Sequence, residues 1–246
     1  METHYLVPLA EEGDGTPIFI VPSAGSTFFS FVTLAGALQA NSPIYSFSLT
    51  ELEVTPSTHE TLEDIADALL LEVRAVKPKG PYHLAGHCWG GVVALDMAAK
   101  LEAQGEDVQS LFLLESFVPV AVGREASDEN SGGGEFSTTM QTILEDTLEE
   151  TRAKLSRMPK KHADRLVELT GRQIETGNIY EPEPIGVPIY LFRTDSHGDV
   201  AFRGWESLTT STFAEREVPG DTHSMLEKPN VETLCMEIRA IIKPKG

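Results

Sequence analysis

The stretch PYHLAGHCWGG, residues 81–91, decides the fold. Its pentapeptide GHCWG has the G-x-S-x-G spacing of a nucleophile elbow, with Cys88 where serine is usual. The apolar segment YHLAG (82–86) predicts a strand that runs into the motif, and GVVALDMAAKLEAQG (91–105) predicts a helix that follows it. The glycines around the cysteine suit a strained turn in which neighbouring backbone segments come close together. The sequence therefore predicts a strand, an elbow and a helix in that order.

Strands and helices alternate along most of the chain. Short apolar runs predict strands, and apolar residues three or four positions apart predict helices. Thr61, followed by Asp64 three residues later, predicts a capping box at the start of a helix. Strands are predicted at 17–23, 43–48, 82–86, 110–115, 188–194 and 213–218, and helices within 24–38, at 61–77, at 91–105 and within 231–242. This alternation indicates an α/β fold with a mostly parallel central sheet that is covered by helices on both faces.

The segment 120–186 interrupts this alternation. It includes a polar, glycine-rich stretch, SDENSGGGEFS (127–137), and continues with helix-compatible sequence in which no strand is predicted. Insertions of this kind lie over the ends of sheet strands and often serve as lids. We expect a single domain, residues 1–246, with a helical lid insertion at about 120–186.

Composition excludes several classes of function. The chain has 246 residues and a formal net charge of −19, opposite to the positive charge expected of a nucleic-acid-binding protein. No apolar run is long enough to span a bilayer, and the N-terminus METHYLVPLAEEGDG lacks the features of a signal peptide. The chain has only two cysteines, Cys88 and Cys235, and so few are typical of a protein in a reducing compartment. We expect a cytoplasmic protein with no nucleic-acid or membrane partner, and no motif predicts a metal site.

Cys88 is the candidate nucleophile. Its position at the N-terminus of a predicted helix favours the thiolate, because the helix dipole stabilises negative charge there. Cys235 lies inside the terminal helix with no glycine turn beside it, and we expect it to be buried in the core. The expected oxyanion donors are the backbone N–H of Trp89, which follows the nucleophile, and an N–H of the loop 22–26.

The base and the acid can be placed by their order along the chain. In a site of this kind the base follows the last strand, as His223 does in VPGDTHSML, and His197 in RTDSHGD is its rival. The remaining histidines are expected to be structural or on the surface: His4, His59, His83, His87 and His162. Carboxylates follow two of the predicted strands, which leaves the acid open between Glu115, Asp195 and Asp199.

Five segments together resemble the thioesterase domains of non-ribosomal peptide and polyketide synthetases, which have an α/β-hydrolase fold. The matching segments are PIFIVPSAGSTFFSF, PIYSF, THETLEDIADALLLEVRAVKPKGPYHLAGHCWGG, LFLLES and VPGDTHSML. The resemblance implies a Ser/Cys-Asp-His type of site that acts on acyl chains carried as phosphopantetheine thioesters, with no bound cofactor. It places the nucleophile on Cys88, the acid on Glu115, the base on His223, and the oxyanion amides on Ala24 and Trp89.

The chain departs from the family pattern at three points. Cysteine replaces the usual serine, a form found in a minority of members. Glu115 stands where aspartate is usual and is one methylene longer, which keeps Asp195 and Asp199 open as the acid. Only Ser224 separates His223 from Met225, one residue fewer than the usual spacing, so the base loop is expected to have a different shape.

The resemblance implies a thioesterase that releases an acyl, peptidyl or polyketide chain from an acyl or peptidyl carrier protein in secondary-metabolite biosynthesis. A cysteine acyl-enzyme is itself a thioester, so it retains acyl-transfer potential and suits cyclisation or transfer as well as hydrolysis. Carrier proteins are generally acidic, so an acidic enzyme needs a local basic surface to bind one. Such a surface is predicted within the lid, although a solvated helix would have the same composition; its residues are Lys154, Arg157, Lys160, Lys161 and Arg165.

Two other functions fit the same residues. A small-ester or lactone hydrolase of the dienelactone type also uses cysteine in an α/β-hydrolase fold, and it would act on diffusible esters without a carrier. A catalytically silent, hydrolase-like binding module would keep the elbow without a reactive thiol. Rapid labelling of Cys88 by a thiol-reactive probe, dependent on His223, separates an active site from a silent one.

Overall fold

A seven-stranded sheet forms the centre of the molecule in the computed structural model, which describes residues 5–38, 41–49, 61–125 and 132–242. The strands are β1 (Leu6–Ala10), β2 (Ile18–Val21), β3 (Ile44–Phe47), β4 (Tyr82–His87), β5 (Val108–Leu114), β6 (Ile189–Arg193) and β7 (Phe213–Glu217). Their order in the sheet is β1-β3-β2-β4-β5-β6-β7. β1 pairs with β3 in the antiparallel sense, and the other pairs are parallel. The predicted α/β architecture with a mostly parallel sheet is confirmed.

Helices cover both faces of this sheet. They are α1 (Val32–Leu38), α2 (Leu62–Val76), α3 (Trp89–Ala103), α4 (Val120–Glu125), α5 (Gly132–Lys154), α6 (Lys160–Ile179) and α7 (Val231–Ile242). The capping box predicted at the start of α2 is present, because the Thr61 hydroxyl accepts the N–H of Asp64 and the Asp64 carboxylate accepts the N–H of Thr61. Local sequence therefore determines where this helix begins.

β1 is a strand that the sequence did not predict. Its residues, LVPLA, are mostly half-buried, and Pro8 interrupts the apolar run. Proline has no N–H to give to a sheet, so strands that contain it lie at sheet edges. β1 does lie at the edge, beyond β3, and its register with β3 is irregular between Pro8 and Ala10.

Alternate residues of the central strands divide the core into two layers. Phe19 and Val21 of β2 pack on the side of α2 and α3, whereas Ile18 and Ile20 pack on the side of α1 and α7. This period of two is what a strand buried on both faces requires. The sheet is therefore held rigidly between two helical layers, and the loops at the carboxyl ends of its strands can be placed accurately.

Helices α4, α5 and α6 occupy the chain between β5 and β6. Side chains of α5 and α6 lie over the cavity next to Cys88, at the carboxyl ends of β4 and β5. The last turn of α6 leads to Tyr180, whose hydroxyl donates a hydrogen bond to buried Asp96 of α3 at 2.9 Å. That bond attaches the end of the insertion to the core. In the described part of the chain, no helix is both long and apolar enough to cross a membrane.

Candidate active site

The turn from β4 to α3 has the geometry of a nucleophile elbow. Cys88 has φ 52° and ψ −122°, and positive φ is unfavourable for any residue with a Cβ. A Cβ on Gly86 would overlap the backbone of Gly90, and a Cβ on Gly90 would overlap the backbone of Val21 and Pro22. The glycines on either side of the cysteine therefore allow β2, β4 and α3 to approach closely enough to hold it in this conformation.

Burial controls the chemistry of the Cys88 thiol. Desolvation raises the pKa of Cys88 from 9.0 to about 11, and the nearby Glu115 carboxylate adds to the rise. Hydrogen bonds with the Ser23 side chain and the Trp89 backbone act in the opposite direction but are weaker. The helix N-terminus was expected to favour the thiolate, and the Trp89 N–H at that terminus does lower the pKa of Cys88, but desolvation outweighs it. A base is needed to take the proton from Cys88 near neutral pH.

The loop after β2 lies beside the thiol. Ser23 and Ala24 line the same cavity as Cys88 and Trp89, so both predicted oxyanion residues meet the nucleophile there. A hydrogen bond of 3.0 Å joins the N–H of Gly25 to the side-chain oxygen of Gln173 in α6. The lid therefore supports the loop from outside, as it supports Trp89, whose indole N–H lies 3.3 Å from the Thr176 hydroxyl.

The cavity beside Cys88 is largely apolar. It holds about 500 Å³ of empty space, part of which is open to solvent. Its core side is lined by Ser23, Ala24, Cys88, Trp89, Val92, Phe117, Val118 and Pro119, and its lid side by Met140, Ile143, Leu144, Thr147, Ile174, Gly177 and Asn178. The wall contains no charged side chain among the described residues. Such a cavity suits an uncharged, apolar chain.

Glu115 is completely buried directly after β5, and it has a positive φ of 47°. Its carboxylate accepts hydrogen bonds from the Thr194 N–H at 2.6 Å, from the Thr194 hydroxyl at 2.9 Å and from the Ser196 hydroxyl at 3.1 Å. Burial raises the pKa of Glu115, and these hydrogen bonds oppose the rise. Thr194 and Ser196, which follow β6, therefore hold the Glu115 carboxylate by hydrogen bonds, near enough to Cys88 for its charge to affect the thiol.

The two alternative acids lie in a different environment. Asp195 and Asp199 are both exposed, in the loop after β6. The Asp199 carboxylate forms an ion pair with the Arg193 guanidinium at 2.9 Å. Of the three candidate acids, Glu115 is the one that the structure buries near the thiol.

His223 lies in the loop after β7, at the edge of the lid. The Asp221 carboxylate accepts the backbone N–H groups of His223 and Ser224 at 3.0 and 2.9 Å, which fixes the turn that carries the imidazole. The Nε2 atom of His223 lies 3.0 Å from the Nζ atom of Lys154, at the end of α5. An ammonium group can only donate, so Nε2 is the acceptor in this contact.

Thr222, the residue before His223, is held by two other histidines. His87 Nε2 lies 2.7 Å from the Thr222 carbonyl oxygen, and His197 Nε2 lies 3.0 Å from the Thr222 hydroxyl. His197, the rival base, also packs edge-on against Phe117 of the cavity wall. Both rings are thus engaged with the residue next to His223.

The remaining histidines and Cys235 lie away from this loop. His83 is buried and bonded to the Ser110 hydroxyl at 2.7 Å, and His162 is exposed. His4 and His59 fall outside the described residues. Cys235 is completely buried against α1, which confirms that it belongs to the core.

The predicted docking residues do not all share one environment. Arg157, Lys160, Lys161 and Arg165 are exposed, and Lys160 forms an ion pair with Asp164 at 2.6 Å. Lys154 is also exposed, but its ammonium lies against His223. In the described ranges, no group of three or more His, Cys, Asp or Glu residues is arranged to hold a metal ion.

Sequence reasoning missed the residues that reach the site from distant segments. Thr194 and Ser196 hold Glu115, Gln173 holds the oxyanion loop, and Lys154 contacts His223. None of these lies near its partner in the chain, so no local pattern could identify them. Thr222 had one indication, its position directly before the candidate base.

Parts of known synthetases are similar in sequence to this chain. The chain is 39% identical over 107 residues to the vanchrobactin synthetase VabF of Vibrio anguillarum, covering 44% of this chain and 4% of that protein. It is 35% identical over 128 residues to a dimodular nonribosomal peptide synthase of Bacillus subtilis (strain 168), covering 50% of this chain and 5% of that protein. The chain thus spans only a small part of the length of these curated relatives.

A solved structure of the Vlm2 thioesterase domain, bound with a dodecadepsipeptide, has the same fold. The TM-score is 0.73 at 22% identity, covering 96% of this chain and 97% of that one. The seven-stranded sheet with its helical insertion is therefore an α/β-hydrolase fold. The thioesterase domain family model matches residues 16–242, which is most of this sequence, and the chain belongs to the thioesterase domain family.

Proposed function

We propose that this domain releases an acyl, peptidyl or polyketide chain from the phosphopantetheine thioester of a carrier protein, through an acyl-enzyme on Cys88. One observation carries the proposal: Cys88 occupies a positive-φ elbow in the wall of an apolar cavity that Ala24 and Trp89 also line. A nucleophile beside two backbone N–H groups and an apolar cavity suits attack on the carbonyl of an acyl chain. The relative named as a dimodular nonribosomal peptide synthase supports a peptidyl substrate.

The proposed acylation step begins at the thiol. His223 takes the proton from Cys88, and Sγ attacks the thioester carbonyl carbon. The oxyanion that forms is stabilised by the backbone N–H groups of Ala24 and Trp89. The bond between the carbonyl carbon and the phosphopantetheine sulfur then breaks, and His223 returns its proton to that sulfur. Glu115, close to Cys88 and buried, supplies the negative charge that stabilises the imidazolium.

The second step transfers the acyl group from Cys88 to water or to a nucleophile within the chain. The acyl-enzyme is a thioester like the substrate, so loading is nearly isoenergetic and the acyl-transfer potential is retained. An internal hydroxyl or amine can therefore compete with water, which favours cyclisation where the chain carries one. The apolar cavity would protect the intermediate by excluding water.

We also propose that the carrier protein binds at the exposed basic residues of the lid. Arg157, Lys160, Lys161 and Arg165 form this surface, in a chain with a net charge of −19. An acidic carrier would be repelled by most of the molecule and attracted here. The double variant K160E/K161E should raise the KM for a carrier-bound substrate and leave turnover of a short thioester without a carrier unchanged. Exposed Lys79, before β4, provides the control variant K79E, and equal effects of both changes would exclude the surface.

The main experiment compares release of one acyl chain from a carrier protein by the wild type and by C88A, with the products separated by mass. We expect release by the wild type and none by C88A, because C88A has no nucleophile. With an acyl chain that carries a terminal hydroxyl, a cyclic product supports transfer, and free acid as the sole product excludes it. Release by C88A at the wild-type rate would exclude the proposed function.

A further inference from the structure

His87, the residue directly before Cys88, makes a hydrogen bond that the reaction outlined above does not use. Its Nε2 atom lies 2.7 Å from the carbonyl oxygen of Thr222, and Thr222 precedes the candidate base His223. A carbonyl can only accept, so Nε2 carries the hydrogen. The backbone of the nucleophile elbow and the backbone of the base loop are thus linked by one side chain.

The other ring nitrogen of His87 makes this arrangement costly. The side chain is 2% exposed, and burial lowers the pKa of His87 to about 4, so the ring is neutral at pH 7. Because Nε2 carries the only hydrogen, Nδ1 is an acceptor, and it has no hydrogen-bond partner among the described residues. A buried polar atom without a partner costs about 1–3 kcal/mol. The hydrogen bond to the Thr222 carbonyl and the unpartnered Nδ1 atom act on stability in opposite directions, so folding stability alone does not explain a histidine here.

A second histidine holds the same residue from another direction. His197, in the loop after β6, places Nε2 3.0 Å from the Thr222 hydroxyl. Thr222 is therefore held through its main chain by His87 and through its side chain by His197. One contact comes from the last residue of β4 and the other from the loop that follows β6, and both strands belong to the same sheet.

We propose that His87 is a positioning residue, which keeps the His223 loop in register with Cys88 by donating a hydrogen bond to the Thr222 carbonyl. This inference rests on the proposed function, because it takes His223 as the base for Cys88. His197 assists through the Thr222 hydroxyl. His223 itself is exposed, and the Asp221 carboxylate that fixes its turn belongs to the same loop, so a contact from outside the loop helps to place it.

The test uses two variants of His87 and a matched control. H87L removes the donor, whereas H87Q keeps an N–H at about the position of Nε2. H83L changes the other buried histidine of β4, which bonds Ser110 and does not contact Thr222. For each variant, kcat and KM are measured on a short acyl thioester, and the free energy of unfolding is measured with urea.

We expect H87L to be about as stable as the wild type, because it loses the hydrogen bond to the Thr222 carbonyl but also removes the unpartnered Nδ1 atom. Its kcat should fall by about 10- to 100-fold, since a displacement of about 1 Å costs about 100-fold, with KM nearly unchanged. H87Q should recover most of that loss. H83L should be less stable than the wild type, because Ser110 loses its partner, yet keep its kcat. A structural role for His87 would instead lower stability and kcat together.

Two results would overturn the inference: H87L with the kcat of the wild type, or H87Q as slow as H87L. C88A, measured in parallel, separates this failure from failure of the proposed function. If C88A is inactive and H87L is unaffected, only the positioning role is wrong. If C88A retains the turnover of the wild type, both the proposed function and the positioning role are wrong.

Discussion

The reactivity of Cys88 should depend on His223 to an extent that follows from the desolvation of its partly buried thiol. Burial raises the pKa of Cys88 from 9.0 to about 11. At pH 7 the thiolate fraction is then about 10⁻⁴, compared with about 10⁻² for the unshifted thiol, since each pKa unit is a factor of ten. This hundredfold difference corresponds to about 3 kcal/mol against the thiolate. In H223A, which lacks the base, the reaction rate of Cys88 should follow this low thiolate fraction.

The assay is alkylation of Cys88 by iodoacetamide between pH 7 and pH 10, followed by mass spectrometry of the peptide. In H223A the rate constant should rise about tenfold per pH unit across the whole range, because the thiol remains mostly protonated. At pH 7 the wild type should react faster than H223A, because His223 takes the proton. Cys235, completely buried in the core, is the internal control and should stay unlabelled while the protein is folded.

Two results would refute this reasoning. A plateau in the H223A profile at or below pH 9 would mean that burial does not raise the pKa of Cys88. Equal rates for the wild type and H223A at pH 7 would mean that His223 does not act as the base for this thiol. Circular dichroism at each pH confirms that the rates belong to the folded protein.

Three further predictions concern the surroundings of the thiol. In K154M, iodoacetamide should alkylate Cys88 faster than in the wild type at pH 7, because Lys154 Nζ lies 3.0 Å from His223 Nε2, the atom that must take the proton. Equal rates would mean that Lys154 does not hinder His223 as a base. Burial raises the pKa of Glu115 above 4.5, so its contribution to stability is full below pH 4.5 and is lost as the pH rises through the higher folded-state pKa. E115Q, which cannot ionise, should therefore lose less stability than the wild type between acidic and neutral pH in urea titrations, and its kcat should fall; an unchanged kcat would remove Glu115 as the acid. Y180F should lower the free energy of unfolding by about 1–3 kcal/mol, because buried Asp96 loses its hydroxyl partner, and a stability equal to that of the wild type would contradict this.

The elbow could be predicted from sequence because its determinants are local. Gly86 and Gly90 lie within two residues of Cys88, and the strand before it and the helix after it have their own apolar patterns. The environment of the thiol could not be predicted in the same way. The helix N-terminus was visible in the sequence, but the desolvation that raises the pKa of Cys88 depends on how the folded chain packs around the thiol, and segments far along the chain line the same cavity.

The contacts around the candidate base also could not be predicted from local sequence patterns. His223 was found from its position after the last strand, yet the contact between His87 and Thr222 joins residues 135 positions apart. Lys154 was grouped with the exposed basic residues by composition, but the end of α5 brings it to His223. β1 was missed because Pro8 interrupts an already short apolar run, and only pairing with β3 makes it a strand.

The most direct test of the account is to identify the acylated residue during turnover. The wild type and C88A are mixed with an acyl chain on carrier-protein phosphopantetheine, quenched within milliseconds, digested and examined by mass spectrometry. The account predicts that the acyl mass is found on the peptide that contains Cys88, decays as product is released, and is absent from C88A. Turnover by C88A at the wild-type rate, or an acyl group that forms during turnover on a residue other than Cys88, would contradict it.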